Sequence, residues 1–586
     1  MIGGACIKFG DSVNTDVIIP GRYLISIDPL ELAEHAFEPL GPNIQQQLRR
    51  SPVIVAGINF GCGSAREQAA SCLIGAGVKA VIAKSFARVF FRNSINTGLL
   101  AIECPEAVEC IADGGEAYID TASGTIMAGG KTFQFKPYPE SLQMIVDAGG
   151  LIPYLAKYVL STEKVKSNGK TFAEKVLARA AGLDEVLAGQ VVNVYPQLIM
   201  SHAASWRCIK TLEKLNSPAL YDPDRIAMVM DHNSPAHTAK TAADQKLCRK
   251  FAEENGIKKF YDVDAGIAHV VLIEDGWVRP GMVLIGTDSH STIYGALGAA
   301  GTGVGFSEVA AAWMTGFLWM KVPESIRVVI NGPIGHGATA KDVMLKLIGD
   351  LTADGATYCS VEFHGSYVEA LSISERMTLC NLAMELGCKF AYVPPDKVTR
   401  QYLSQCGVEP SDYQEIYPDQ DASYIRTVEI DCSKLDPQVA CPHSVDNVKP
   451  IGEVAGTRVD QVFIGSCANA KYEDLVLAAS ILKNRKVAPG LRLIITPASK
   501  TILHRIVQEG IYTIFLESGA LLTNPGCGAC AGDGGAMADG EVTFSTANRN
   551  FQGRMGSYNA EIYLGSPLAA AATAIRGVIT DPREFL

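Results

Sequence analysis

A chain of 586 residues exceeds the length that one hydrophobic core supports, so three or four domains are expected. Its 48% apolar and 19% charged residues, with 56 glycines, exclude a fibrous or disordered polymer and describe a loop-rich α/β enzyme. Acids outnumber bases by 62 to 51, and the net charge of −11 argues against nucleic acid as a default partner.

Met1 to Asp11 contains no basic stretch followed by an apolar run, so no secretory signal is expected there. Sixteen cysteines without such a signal point to a reducing, cytoplasmic compartment in which thiols stay free for metal or chemistry. From Ser51 the pattern predicts a strand (Ser51 to Ile58), a helix (Ser64 to Gly75), a strand (Val78 to Ala83), a helix (Phe86 to Thr97) and a strand (Leu99 to Glu103). This βαβαβ run implies a parallel sheet covered by helices. Between Ala148 and Lys170 the text turns small, polar and basic, which sets a boundary: a first domain over 1–160, a linker over 161–170 and a second region over 171–586. Within that region Pro394 to Pro395 and Tyr417 to Asp421 mark softer boundaries, and a last α/β block starts near Asp460. The apolar run Val309 to Val322 carries Lys321 and falls short of the roughly 20 residues of a spanning helix, so it reads as buried core, with no membrane partner.

Polar clusters stand at the carboxyl ends of apolar runs. Val194 to Met200 leads to Ser201-His202, Ile226 to Met230 to Asp231-His232, Met282 to Gly286 to Thr287-Asp288-Ser289-His290, and Val462 to Gly465 to Ser466-Cys467. Ligands of open parallel sheets bind beyond those strand ends, so one convergent polar site is expected.

Cys527 and Cys530 form a Cys-x-x-Cys, with Cys467 upstream. Alone, the pair reads as a zinc or redox motif. A zinc site adds a second nearby ligand pair, which the sequence lacks, and a redox pair leaves Cys467 unexplained. Three thiolates can instead hold a cubane cluster with one iron open as a Lewis acid. His232, His269 and His290 lie near carboxylates (Asp231, Asp288), which fix a tautomer and raise proton affinity, and Glu362 is a further orienting candidate. Arg66, Arg549 and Arg554 have the planar group suited to carboxylates. Ser64 has two readings: with Glu67 it makes a helix capping box, or it is a serine held against a glycine loop whose amides stabilise an alkoxide.

The segments Phe60 to Glu67, Gly286 to His290, Ile464 to Asn469, Pro525 to Cys530 and Asn548 to Gly556 together resemble the aconitase superfamily, and within it the 3-isopropylmalate dehydratase and homoaconitase branch. The resemblance covers nearly the whole chain, with the small, swivelling part first and fused to the large part. It implies three-layer α/β domains around an iron-sulfur cluster plus a separate swivelling α/β domain. It further implies that Cys467, Cys527 and Cys530 bind three irons of a [4Fe-4S] cluster whose fourth iron takes substrate oxygens. Ser64 then matches the base, His232 with Asp231 the acid, and His269, Asp288, Ser289, His290 and Glu362 the supporting network. Arg66, Arg549 and Arg554 match carboxylate binders, with Asn548 and His202 beside the site. Ala203, Ala468 and Ala65 depart from the usual residues of these motifs.

The implied reaction is reversible dehydration and rehydration of a small 2-hydroxy di- or tricarboxylic acid, 3-isopropylmalate being the first candidate and homoaconitate, aconitate or dimethylmalate the alternatives. The loop Pro20 to Ser26 resembles the stretch that selects the substrate's substituent, so Tyr23, Ile25 and Ser26 are expected to do so, Ile25 suiting an alkyl group. An iron-responsive RNA-binding regulator, the reading from a different class, is disfavoured by the acidic balance and by length.

Overall fold

The computed structural model describes residues 2–64, 66–121, 123–138, 140–155, 169–215 and 219–586. In the amino-terminal unit Val53–Ala56 and Ala80–Ala83 are buried at every position, the pattern of strands covered on both faces. They lie in a seven-stranded sheet in the order Leu100–Glu103, Ala80–Ala83, Val53–Ala56, Ile2–Lys8, Glu116–Asp120, Thr125–Ala128 and Lys131–Gln134. The first four are parallel, which gives the expected βαβαβ unit; the last three form an antiparallel extension. The first helix starts at Glu67, not Ser64, because Gly61 and Gly63 take positive φ and hold the chain in a loop until Arg66.

Among the described residues three larger sheets follow, with a two-stranded antiparallel pair of Val191–Val194 and Leu318–Lys321. The first is fully parallel, in the order Lys259–Tyr261, Ile226–Val229, Leu198–Ser201, Val283–Gly286, Ala300–Gly303. The second, also parallel, runs Phe390–Tyr392, Ser360–His364, Ser325–Asn331, Arg426–Asp431. Both soft boundaries therefore fall inside one sheet: Pro394 to Pro395 only precede Asp396, whose carboxylate caps helix Lys397–Gln405. The third sheet has seven strands, five of them parallel, and begins at Gln438–Ala440, ahead of Asp460. One large apolar cluster, including Leu284, Val328, Phe363, Val462 and Phe544, joins residues of all three sheets.

The run Val309 to Val322 is core, split between helix Phe306–Thr315 and strand Leu318–Lys321. Among the described residues no helix is long and apolar enough to cross a membrane. Of the expected linker, residues 161–168 lie outside the described residues; beyond it Thr171 and Glu174 form a capping box that starts helix Phe172–Ala181.

Polar groups join the amino-terminal unit to the rest. Arg92 pairs with Glu308 through Nε, donates from Nη2 to the Trp319 carbonyl at 2.6 Å and lies 4.1 Å from the Trp319 ring. Arg88 Nη1 donates to Thr302 Oγ1 at 2.8 Å and to the Gly303 carbonyl at 3.1 Å. Glu67 accepts from the Ser307 hydroxyl at 2.6 Å and its amide at 3.2 Å, so one unit caps the first turn of the other unit's helix. Gly305 permits this, since a Cβ there would strike the Glu67 carboxylate.

Burial pushes the Glu67 carboxyl up to about 7, against the opposing effect of the Ser307 bonds. Between its ordinary 4.5 and about 7, the folded protein holds a proton that the unfolded chain has released. This contribution is complete below pH 4.5 and is lost as pH rises through about 7, a change of up to roughly 3 kcal/mol. Wild type should lose resistance to urea between pH 5 and pH 8 more steeply than Glu67→Gln. Equal slopes would show that Glu67 does not titrate at the seam.

Candidate active site

Leu198–Ser201, Ile226–Val229 and Val283–Gly286 are neighbours in one parallel sheet, so their carboxyl ends deliver His202, Asp231-His232 and Thr287-Asp288 to one place. His232 Nδ1 lies 2.8 Å from Asp231 Oδ1, and Asp231 also accepts from the Ala268 amide at 3.0 Å. Burial disfavours a charge on His232, but Cys527 and Asp231 outweigh it and hold the imidazole well above its ordinary range. His202 is the opposite case: burial, then repulsion from His232, lowers it to about 4, and its Nδ1 meets Thr287 Oγ1. Their rings are 4.9 Å apart.

Asp288 caps the short helix Ser289–Leu297 and meets His269 Nε2 at 2.9 Å and His290 Nδ1 at 3.5 Å. Burial would raise its carboxyl, yet the two imidazoles hold it well below the usual range. Ser289 is buried beside it. His290 reaches onward through Nε2 to Glu385 at 2.8 Å, and Glu385 grips Arg549 Nε with both oxygens at 3.0 Å. Arg549 and His290 hold Glu385 at about 2 despite its burial.

The third sheet contributes sulfur. Cys467 follows strand Gln461–Ile464 after Ser466, whose φ of 79° turns the chain inward. Cys527 and Cys530 occupy a tight turn with glycines at positive φ, and the Cys527 amide donates to the Asp231 carbonyl at 3.2 Å, tying the sulfur loop to the histidine sheet. All three thiols are free and buried. Burial, then Asp288 and the other two cysteines, raises Cys467 well above its ordinary value, and burial pushes Cys527 up to about 12. Asn548 Nδ2 points at Cys467 Sγ from 3.6 Å, and Arg554 Nη2 at Cys530 Sγ from 3.7 Å. Two overlapping groups, Asp231 with His232 and Cys527, and His202 with His232 and Asp288, present ligand atoms within 4.8 Å of one another.

Glu362 is not part of this assembly. Fully buried on strand Ser360–His364, it accepts from the Phe172 amide at 3.0 Å and the Tyr424 hydroxyl at 2.9 Å, so it anchors a helix start to the second sheet. The carboxylate that supports His290 is Glu385, absent from the sequence expectations. Its signal was two polar residues, Asn381 and Glu385, one helical turn apart within the apolar run Leu379 to Leu386. Asn381 accepts from Asn548 Nδ2.

From the amino-terminal unit, Ser64 arrives in the glycine loop. Its Oγ is buried without a partner among the described residues, and it caps nothing, because the helix begins at Glu67. The capping-box reading therefore fails. Ala65 lies outside the described residues. Arg66 pairs with Asp16 and donates to the Ile19 carbonyl at 3.1 Å. In the Pro20 to Ser26 loop Tyr23 stacks on His35 at 3.5 Å, Ser26 donates to Glu31, and the Ile25 side chain is exposed. Arg207 and Lys240 of the other unit hold the carbonyls of Leu24 and Ile25. A cavity of about 390 Å³ opens along the seam, lined from one side by Asn14, Asp16 and Cys62 and from the other by Glu385, Arg549 and Tyr558.

The profile of the aconitase family (aconitate hydratase) matches residues 174–577, and that of the aconitase C-terminal domain matches residues 33–107. A 3-isopropylmalate dehydratase large subunit from Methanopyrus kandleri is 47% identical over 421 residues, 71% of this chain and 100% of that protein. A probable methanogen homoaconitase large subunit from Methanosarcina mazei is 48% identical over 388 residues, 66% of this chain and 98% of that protein. A crystal structure of a 3-isopropylmalate dehydratase from Methanocaldococcus jannaschii, 46% identical, covers 27% of this chain and 93% of its own, with a TM-score of 0.26. With relatives aligned along essentially their whole length and the family profile spanning residues 174–577, the chain belongs to the aconitase family and is a hydro-lyase.

Proposed function

We propose that this hydro-lyase carries a [4Fe-4S] cluster on Cys467, Cys527 and Cys530. It dehydrates and rehydrates a small 2-hydroxy dicarboxylic acid with an alkyl substituent, 3-isopropylmalate or a close analogue. One observation carries the reading: three free, buried thiols stand on the loops of the site, with an amide and a guanidinium N–H directed at two of them. Burial disfavours the thiolates of Cys467 and Cys527, and iron offsets that cost because thiolate is the ligand it takes in clusters. The donor set therefore fits the group, and N–H groups beside the sulfurs are what tune it. When bound, the cluster supplies a Lewis-acid iron for the substrate's hydroxyl and carboxylate oxygens.

The chain's own groups divide the remaining work. His232, kept protonated beside Asp231, donates its proton to the departing hydroxyl. Arg549, oriented through Nε by Glu385, and Arg554 bind substrate carboxylates with their planar Nη groups. Ser64 removes the proton from carbon: its hydroxyl has no competing partner among the described residues, and it sits in a loop set by Gly61 and Gly63 at positive φ. Arg66, engaged by Asp16, braces that loop.

Residues 1–160 act as the swivelling domain and 171–586 as the cluster-bearing region, a division supported by the separate profile matches and by relatives named as large subunits. The apolar Ile25, at the seam, suits an alkyl substituent, in keeping with relatives named for 3-isopropylmalate. The sixteen free cysteines suit the cytoplasm.

Anaerobically reconstituted wild type should contain iron and acid-labile sulfide and turn over 3-isopropylmalate in preference to aconitate. Cys467→Ser should lose both metal and turnover; an active, fully loaded Cys467→Ser protein refutes the ligand assignment. Ser64→Ala should lower kcat by roughly 10² to 10⁴. Its thermal stability should be unchanged or slightly raised, since an unpartnered buried hydroxyl contributes no bond. Near-normal turnover of Ser64→Ala would return proton abstraction to another group.

A further inference from the structure

Two lysines are buried behind the sulfur loops. Lys341, on helix Ala340–Leu351, is 0% exposed and donates to the carbonyls of Thr546 at 3.1 Å and Ala547 at 2.7 Å. Those carbonyls immediately precede Asn548, whose amide points at the Cys467 sulfur. Lys471, 3% exposed, donates to the carbonyl of Ala468, the residue after Cys467, and to Thr378 Oγ1 at 3.1 Å, and pairs with Asp474 at 2.9 Å.

Each ammonium thus grips the backbone of a loop that presents or supports a sulfur ligand. Burying an ammonium is costly, and burying two that repel each other costs more. Burial and the neighbouring Lys471 together push Lys341 down to about 8. Asp474 offsets Lys471. Asp342, next to Lys341 in the chain, turns away to accept from the Gln438 amide at 2.7 Å. Among the described residues the Lys341 ammonium donates to two carbonyls, while Cys530, then Asp474 and Asp342, favour its charge against the effect of burial. Both ammoniums are thus held by main-chain oxygens of the loops that bear or support the sulfurs.

We infer that Lys341 and Lys471 are positioning residues of the sulfur site: a buried ammonium pair that balances the charge of the three thiolates and holds their loops, and so sets the retention and redox potential of the cluster. The inference rests on the cluster reading above. Removing either positive charge leaves the site more negative, which makes cluster reduction harder; removing the carboxylate of Asp474 does the reverse.

The test uses anaerobically reconstituted full chains of wild type, Lys341→Met, Lys471→Met, Lys471→Arg and Asp474→Asn. Each is assayed for iron and sulfide, for rate of iron loss to a chelator, and for midpoint potential by dithionite titration followed by electron paramagnetic resonance. Both methionine variants should lose iron roughly tenfold faster, the scale on which outer partners of metal ligands act, and show a lower potential. Lys471→Arg should restore both, and Asp474→Asn should raise the potential. A purely structural role would move Lys471→Met and Asp474→Asn in the same direction, or leave the potential unmoved, and either result overturns the inference. Should Lys341→Met not fold, the opposed shifts at 471 and 474 decide the matter. Wild type without iron and sulfide refutes the cluster reading itself, whereas a full cluster with unmoved potentials refutes only the ammonium pair.

Discussion

Arg92 and Glu308 meet in a place that water does not reach, and the position of the glycine loop relative to the sulfurs depends on that meeting. Ser64 and Arg66 belong to the first unit; the histidines, the sulfurs, Arg549 and Arg554 belong to the second. Neither set is a catalytic site alone. A buried ion pair is stabilising only when its geometry is good and its remaining hydrogens are bonded, and losing one partner typically costs about 3–5 kcal/mol. The Trp319 carbonyl and ring add to the partners of Arg92, whose Nη1 has none among the described residues, while Arg88 and Glu67 reach across to Thr302 and Ser307. The seam is therefore polar and directional, which fixes one register more firmly than a greasy interface would.

Within the second unit, a continuous line of polar contacts organises the site. His269, Asp288, His290, Glu385 and Arg549 touch in sequence, so imidazoles and carboxylates alternate from the first sheet toward the third and end on a guanidinium. Asp288 and Glu385 stay below the usual carboxylate range in spite of burial, and each in turn fixes the orientation of an imidazole or guanidinium. The same rule separates His232, flanked by Asp231 and a sulfur, from His202, flanked by His232 and a neutral hydroxyl. One imidazole holds its proton while its neighbour gives it up.

Much of this was legible in the chain. Apolar runs ending in Ser201-His202, Asp231-His232 and Asp288 predicted convergence, and the parallel sheet delivers it because adjacent parallel strands end on the same edge. The βαβαβ run was legible for the same reason, since fully buried strands read as continuous apolar segments. Four things were not. Glu362 has a carboxylate's chemistry, but only tertiary packing shows that its partners are the Phe172 amide and the Tyr424 hydroxyl. Glu385 was hidden in an apolar helix, where a lone acid looks like an exception. Ser64 matched a capping box by spacing, yet two glycines with positive φ carry the chain past the point where that cap would form. Prolines 394 and 395 mark a turn into a capped helix, and turn chemistry is the same within a domain as between domains.

The loop from Pro20 to Ser26 is held across the seam by Arg207 and Lys240, and what they hold is main-chain oxygen, at Leu24 and Ile25. Every amino acid carries that oxygen. The grip is therefore blind to the identity of residue 25, whose side chain stands in solvent. A change of side chain at position 25 therefore leaves the docked main chain in place, because that side chain takes no part in the grip.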